Sequence, residues 1–218
     1  MSKSPKAEKL FIEGSAGRLE ALLESPQDGA AAASAVVCHP HPEHGGTMQN
    51  KVVHTLARAF IAKGFSTLRF NFRGVGQSEG KFDDGQGELL DALAAVQAMK
   101  DRGRMKLWVA GFSFGAAIAI RAAAEARADG LVSVAPAISR ISLASGPPPQ
   151  CPWLIVQGDR DELVDVADTI EWANGLEPGP ELQIFQETEH FFHGKLAKLR
   201  DAVESFIDEH SKNPDKPG

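Results

Sequence analysis

Lys106-Leu107-Trp108-Val109-Ala110-Gly111-Phe112-Ser113-Phe114-Gly115 is an apolar run that closes on a G-x-S-x-G pentapeptide, and an alanine-rich stretch from Ala116 to Ala128 follows it. Lys106 to Ala110 reads as a buried strand. The alanine run is a strong helix former, and Gly130 stands where a helix stop belongs. Strand, G-x-S-x-G and helix in that order make the setting of a nucleophile elbow, whose strained turn lifts a serine oxygen clear of the sheet. Glycine at 111 and 115 suits such a turn, because strand and helix approach too closely there for a Cβ. Elsewhere the pentapeptide is a common surface turn; in this setting Ser113 is a candidate nucleophile.

Outward from the elbow, strand-like and helix-like segments alternate, which implies an α/β domain with a mostly parallel sheet. Lys9–Ile12 and Arg18–Leu23 flank Gly14-Ser15-Ala16-Gly17 as an antiparallel hairpin. Ala35–Cys38 is a fully apolar strand. From Asn50 to Lys63, Val53, Leu56, Ala57 and Phe60 share one helical face, closed by Gly64. Ser66–Phe72, Leu131–Ala135, Trp153–Val156 and Leu182–Phe185 read as further strands. Helices are expected around Leu89–Val96, Ile170–Leu176 and Leu196–Ile207. The chain shows no internal repeat and no interdomain linker, so residues 9–210 are expected to form one domain. Residues 1–8 and 211–218, polar and proline-containing, are expected to be flexible tails. The stretch 138–150 offers the only room for a cap, and it is too short for a helical lid domain.

At 218 residues and 43% hydrophobic content, the chain suits one domain with a full core. No apolar run approaches the ~18 residues of a membrane helix. The start, Met1 to Lys6, is polar and lacks the apolar stretch of a secretory signal. A formal charge of -6 argues against a nucleic-acid partner, which requires clustered cations. Cys38 and Cys151 sit in apolar strand-like segments as small core residues. A cytoplasmic location is the expectation; oligomeric state is left open.

A serine hydroxyl needs a base to take its proton, so an elbow calls for a histidine and an acid. Two later strand ends offer them. Gly158-Asp159-Arg160-Asp161-Glu162-Leu163-Val164 follows one, with Asp159, Asp161 and Asp165 nearby. Glu187-Thr188-Glu189-His190-Phe191-Phe192-His193-Gly194 follows the other, with His190 and His193. The C-terminal ends of parallel strands are where such sheets open their ligand crevice. One backbone donor for an oxyanion belongs to Phe114, the residue after the nucleophile.

Several blocks taken in order resemble the small lidless serine hydrolases of the α/β-hydrolase superfamily, in the dienelactone-hydrolase-like branch. They are His39-Pro40-His41-Pro42, Gly45 to Val53, Phe70-Asn71-Phe72-Arg73-Gly74-Val75-Gly76-Gln77-Ser78-Glu79-Gly80, the elbow, Gly158 to Val164, and His190 to Leu196. The resemblance covers nearly the whole chain. It implies an α/β-hydrolase fold, a mostly parallel central sheet flanked by helices, with no lid domain. It places the acid at Asp161, through the pattern Gly-x-x-Asp-x-x-Val, and the base at His190, ahead of the paired phenylalanines. It also assigns the second oxyanion donor to the His41 N–H, since Pro40 and Pro42 have none. The activity implied is hydrolysis of small carboxylic esters or thioesters through an acyl-enzyme. The alternatives are an acyltransferase or peptidase on the same triad, or a non-catalytic α/β binding module.

Three other signals read differently. His39-Pro40-His41-Pro42-Glu43-His44 superficially matches a zinc motif, but glutamate replaces its aspartate and two prolines stiffen the backbone between would-be ligands. Neither a metal nor a cofactor is expected. Gly74-Val75-Gly76 lacks the third glycine of a dinucleotide fingerprint, where Glu79 stands, and reads as a turn holding Arg73 and Ser78. Cys38 precedes the active-site loop by one residue, and its apolar strand marks a core thiol. Met48, Phe112 and Phe191 are candidates to line an apolar substrate pocket.

Overall fold

In the computed structural model, residues 5–27, 31, 33–103, 106–138 and 148–211 are described. Four strands, β3 (Ala33–Cys38), β5 (Lys106–Phe112), β6 (Gly130–Val134) and β7 (Trp153–Gly158), are buried almost throughout, as parallel strands covered on both faces must be. With β4 (Phe65–Phe70) and β8 (Glu181–Phe185) they form a parallel array. The hairpin β1 (Lys6–Gly14) and β2 (Gly17–Ser25) is antiparallel and joins β4 antiparallel. The eight-stranded sheet has the order β1-β2-β4-β3-β5-β6-β7-β8. β5 therefore lies in the interior of the sheet, and the elbow stands at its C-terminal end.

The helices cover both faces. α1 (Lys51–Ala62) and α5 (Leu196–Ser211) pack Val53, Leu56, Phe60, Leu199, Val203 and Phe206 against one side. α2 (Gln86–Asp101), α3 (Phe114–Ala126) and α4 (Val166–Asn174) contribute Leu89, Ile118 and Ala173 to the other. Asn50 caps α1, its Oδ1 accepting from the N–H groups of Val52 and Val53 at 2.8 and 3.4 Å.

The structure differs from the sequence expectations at two places. The first strand begins at Lys6, because its polar start still pairs, Lys6 opposite Ser25. Residues 6–8, expected in a tail, thus belong to the sheet, while 1–4 and 212–218 lie outside the described residues. Gly130 is not the stop of α3. That helix ends at Arg127, in the left-handed conformation at φ 51°, and Gly130 opens β6, where a Cβ would come within 2.4 Å of the Trp108 ring. Of the stretch 138–150 expected as the only room for a cap, residues 139–147 lie outside the described residues.

Buried ion pairs fix β4 and the loop that follows it. Arg73 donates to Asp91 on α2 from Nε (3.0 Å) and Nη2 (2.7 Å), and Asp91 is fully buried. Gly87 leaves room for that guanidinium, which a Cβ would strike at 2.0 Å. Arg69 bonds Glu24 twice and the Met48 carbonyl once. Ser78 ties the same turn down, giving its hydroxyl proton to the Asn71 carbonyl at 2.7 Å.

Candidate active site

Ser113 alone separates β5 from α3, at φ 56° and ψ -118°. Such a conformation costs a non-glycine residue on the order of 1–3 kcal/mol and persists only where its surroundings impose it. Here the Ser113 N–H is held by the Val134 carbonyl at 2.9 Å, and its carbonyl accepts from Ala116, Ala117 and Ala137. The two elbow glycines are sterically required. A Cβ on Gly111 would lie 2.1 Å from the Gly115 oxygen, and one on Gly115 would lie 2.3 Å from the His39 oxygen.

His190 stands in the turn after β8, with Phe192 anchored in the core below it at φ 55°. The imidazole is nearly buried between the rings of Phe112 and Phe191, at centroid distances of 5.0 and 5.1 Å. Its Nε2 lies 3.0 Å from Ser113 Oγ, and its Nδ1 lies 2.8 Å and 3.0 Å from the two oxygens of Asp161. A carboxylate can only accept, so Nδ1 carries the proton and Nε2 turns a lone pair to the serine hydroxyl.

The three aspartates of the loop after β7 have distinct bonds. Asp161 Oδ1 accepts from the N–H groups of Leu163 and Val164 at 2.9 and 2.8 Å, and Oδ2 from Gln157 Nε2 at 2.8 Å. Burial pushes the Asp161 carboxyl up, but His190 and the two backbone donors outweigh it and hold the group below its ordinary value. Asp159 accepts from the Thr188 N–H at 3.1 Å, joining this loop to the one bearing His190. Asp165 caps α4 through the Ala167 and Asp168 N–H groups. His193, the other candidate base, is exposed and lies 3.7 Å from Glu189.

On the far side of the serine, Phe114 opens α3, and the first N–H groups of a helix have no partner within it. Gly115 packs directly on the carbonyls of Cys38 and His39, which brings the helix start against the loop carrying His41. That loop closes on itself. The His41 carbonyl accepts from His44 and Gly46, across a 3-10 turn at Pro42–His44. The His41 ring sits 5.0 Å from that of Phe114 and stacks on His44 at 4.3 Å. Phe82 extends this aromatic wall.

His39 is a strut. Its Nε2 accepts from the Phe72 N–H at 3.0 Å, so Nδ1 must carry the proton, which it gives to the Pro40 carbonyl at 2.6 Å. Burial lowers its pKa to about 4, against a smaller opposing pull from that carbonyl. Both ring nitrogens are thus engaged, so His39 could bind a metal only by giving up one of these bonds. Among the described residues the set of side chains placed to hold an ion is Glu181, Glu209 and His210, at the other end of the sheet. Burial, aided by Asp91, raises the Cys38 thiol far above its ordinary range, leaving it protonated.

Of the three candidate pocket residues, Phe191 is exposed beside His190, whereas Phe112 has no exposed surface and backs the imidazole. Met48 is buried, its N–H bonded to Asn71 Oδ1 at 2.9 Å. Sequence reading missed Gln157 and also Glu162, whose Oε2 accepts the His190 N–H at 3.2 Å. Glu162 lies within the segment that marks the acid and Gln157 just before it, but a charged loop and a buried strand end give no signal of their own.

Fold and relatives define an α/β serine hydrolase without a lid. Residues 30–150 match the family described as serine aminopeptidase, S33, and the chain belongs to that family. It is similar to a lidless α/β serine hydrolase from Xanthomonas campestris, at 39% identity over 97% of each chain and a TM-score of 0.90. An α/β serine hydrolase homologue from Coxiella burnetii shares 41% identity over 91% of this chain and 96% of its own, at a TM-score of 0.87. An uncharacterised protein of Rickettsia prowazekii is 32% identical over 213 residues, 91% of this chain and 88% of that one. The family match spans the elbow and stops before Asp161 and His190. No helix among the described residues is long and apolar enough to cross a membrane.

Proposed function

We propose that the protein cleaves carboxylic ester or thioester bonds of small substrates through an acyl-enzyme on Ser113. The observation that carries this reading is the continuous path from Ser113 Oγ to His190 Nε2, at 3.0 Å, and from His190 Nδ1 to Asp161, at 2.8 Å. As Ser113 attacks the acyl carbon, its proton passes to Nε2. Asp161, already bonded to Nδ1, holds the ring in the needed tautomer and offsets the imidazolium charge. The developing oxyanion is received by the backbone N–H groups of Phe114 and His41, beside a helix N-terminus that favours negative charge. The imidazolium then protonates the leaving group, and water repeats the sequence in reverse to release the acid. Phe191 gives the substrate an apolar neighbour on the histidine side.

The family's description favours a second reading, a peptidase. The same acyl-enzyme would serve it, but an aminopeptidase also needs a carboxylate free to hold the substrate's ammonium group. Glu162, exposed beside the histidine, accepts the His190 N–H through Oε2, and one bond does not exhaust a carboxylate, so turnover of esters against anilides decides between the two readings. An acyltransferase would share the first half-reaction, and a binding module would share none. A cytoplasmic setting fits the two free thiols, Cys38 and Cys151. The test is labelling by a fluorophosphonate followed by mass spectrometry, with turnover of p-nitrophenyl esters, acyl-CoA thioesters and aminoacyl p-nitroanilides. An adduct on Ser113 with ester or thioester turnover is expected. No adduct, or one on another serine such as Ser78 or Ser133, overturns the reading, and faster anilide cleavage moves it to the peptidase.

A further inference from the structure

Gln157 is the penultimate residue of β7, and its side chain has no exposed surface. Its Nε2 lies 2.8 Å from Asp161 Oδ2, with the carbonyl oxygens of Gly158 and Val164 at 3.5 Å. Its Oε1 is buried with no hydrogen-bond partner among the described residues. A buried amide oxygen left unpaired is uncommon and calls for an explanation. Turning the amide over supplies none, because Oε1 would then face Asp161 Oδ2, acceptor against acceptor. The unpaired oxygen follows from aiming the NH₂ group at the carboxylate.

The geometry points to Gln157 as a positioning residue for the acid, one that fixes the plane of the Asp161 carboxylate and shares its charge without neutralising it. This rests on the reading of Ser113, His190 and Asp161 as the acyl-transfer machinery. The backbone donors of Leu163 and Val164 hold Oδ1, so Gln157 is the donor that holds Oδ2 beside the imidazole. A lysine or arginine there would compete with the imidazolium for the carboxylate charge. A neutral amide orients the group and leaves most of that charge available to His190. The other charged groups facing this region are Glu162, on the His190 N–H, Asp159, on the Thr188 N–H, and the exposed pairs Glu189–His193 and Arg160–Glu187. None of them touches Oδ2.

Removing the donor would concentrate the Oδ2 charge on the imidazole. The protonated ring would gain, so the serine would lose its base at a higher pH than in the wild type. The rate at which a fluorophosphonate phosphonylates Ser113, followed from about pH 5 to about pH 9, reads this directly. Gln157→Met keeps the shape and removes both polar atoms. Its plateau rate should fall about tenfold, and its acid limb should move up by about half a pH unit. Its Tm should stay within a few degrees of wild type, since removal of the unpaired oxygen offsets part of the lost bond to Asp161. A wild-type limb and plateau would overturn the inference, as would a slower rate with an unmoved limb and a lower Tm, the signature of packing alone. Gln157→Glu, which can donate to Asp161 only while protonated, covers the case in which methionine does not fold. It should lose rate toward alkaline pH, and a wild-type profile would count against the inference. If the wild type itself acquires no adduct on Ser113, the reading of the site fails and takes the inference with it. If it labels and Gln157→Met labels identically, the inference alone fails.

Discussion

Asp159, Asp161 and Asp165 look alike in sequence, yet each has one job that its bonds define, and mutation should separate them. Asp161→Asn keeps the shape but turns an acceptor into a potential donor toward Nδ1, which favours the wrong imidazole tautomer. It should lower kcat by about 10⁴ with little change in KM. Asp165→Asn retains an N-cap oxygen, and Asp159→Asn retains an acceptor for the Thr188 N–H, so each should cost less than about tenfold. The same reasoning ranks the histidines. His190→Ala should cost nearly as much as Ser113→Ala, because the two act as a unit, whereas the exposed His193→Ala should cost about tenfold or less. Steady-state kinetics on a p-nitrophenyl ester decide both series, and a reversed ranking in either would move the assignment. Position just past an apolar strand narrowed the acid to these three aspartates and the base to His190 or His193, and the choice of Asp161 and His190 came from the family resemblance, not from the residues alone. Gln157 could not be picked out beforehand, since its role depends on which way a buried strand-end side chain points.

At the scale of the element, the elbow depends on contact between α3 and the end of β3. Gly115→Ala would drive a Cβ into the backbone carbonyls of Cys38 and His39, neither of which can yield like a flexible side chain. Overpacking of this kind costs about 1–3 kcal/mol, so the urea midpoint should drop accordingly. Activity should fall further than stability, because the shift displaces the Phe114 N–H; a variant with full activity would contradict the proposed oxyanion site. His39 joins β3 to the segment after β4, and its burial makes that joint sensitive to acid. Its folded value is near 4 and its ordinary value 6.5, so between them the unfolded chain binds a proton that the folded chain refuses. Stability should therefore fall as pH drops through this window, by up to about 1.4 kcal/mol per unit, and recover as pH rises. His39→Gln should show a shallower slope there in urea titrations, and an unchanged slope would remove His39 as its source. Strand and helix positions were readable from period and caps, as Asn50 and Gly64 show. The contact that makes Gly130 a strand residue, with the Trp108 ring over it, is non-local and left no mark in the alanine-rich sequence before it.

For the whole molecule, what matters is where the sheet places the site. The parallel array carries Ser113, Asp161 and His190 at the C-terminal ends of β5, β7 and β8, and only residues 135–152 join β6 to β7. A fold without a lid domain leaves the far end of a bound chain in water. Among the described residues, Phe191 and Leu163, in the loops that bear His190 and Asp161, are exposed apolar side chains. Full burial would contribute about 0.8 kcal/mol for each CH₂, roughly a fourfold gain per carbon. In an open crevice that gain should stop once the acyl chain outgrows the apolar surface beside the serine. On p-nitrophenyl esters kcat/KM should accordingly peak at short acyl chains and then level off or decline. It should show no jump when substrate passes from monomers to an interface, because no lid has to open. A steady climb out to long-chain esters would require an enclosed acyl tunnel, which an open crevice cannot supply, and the account of access given by the lidless fold would have to be replaced.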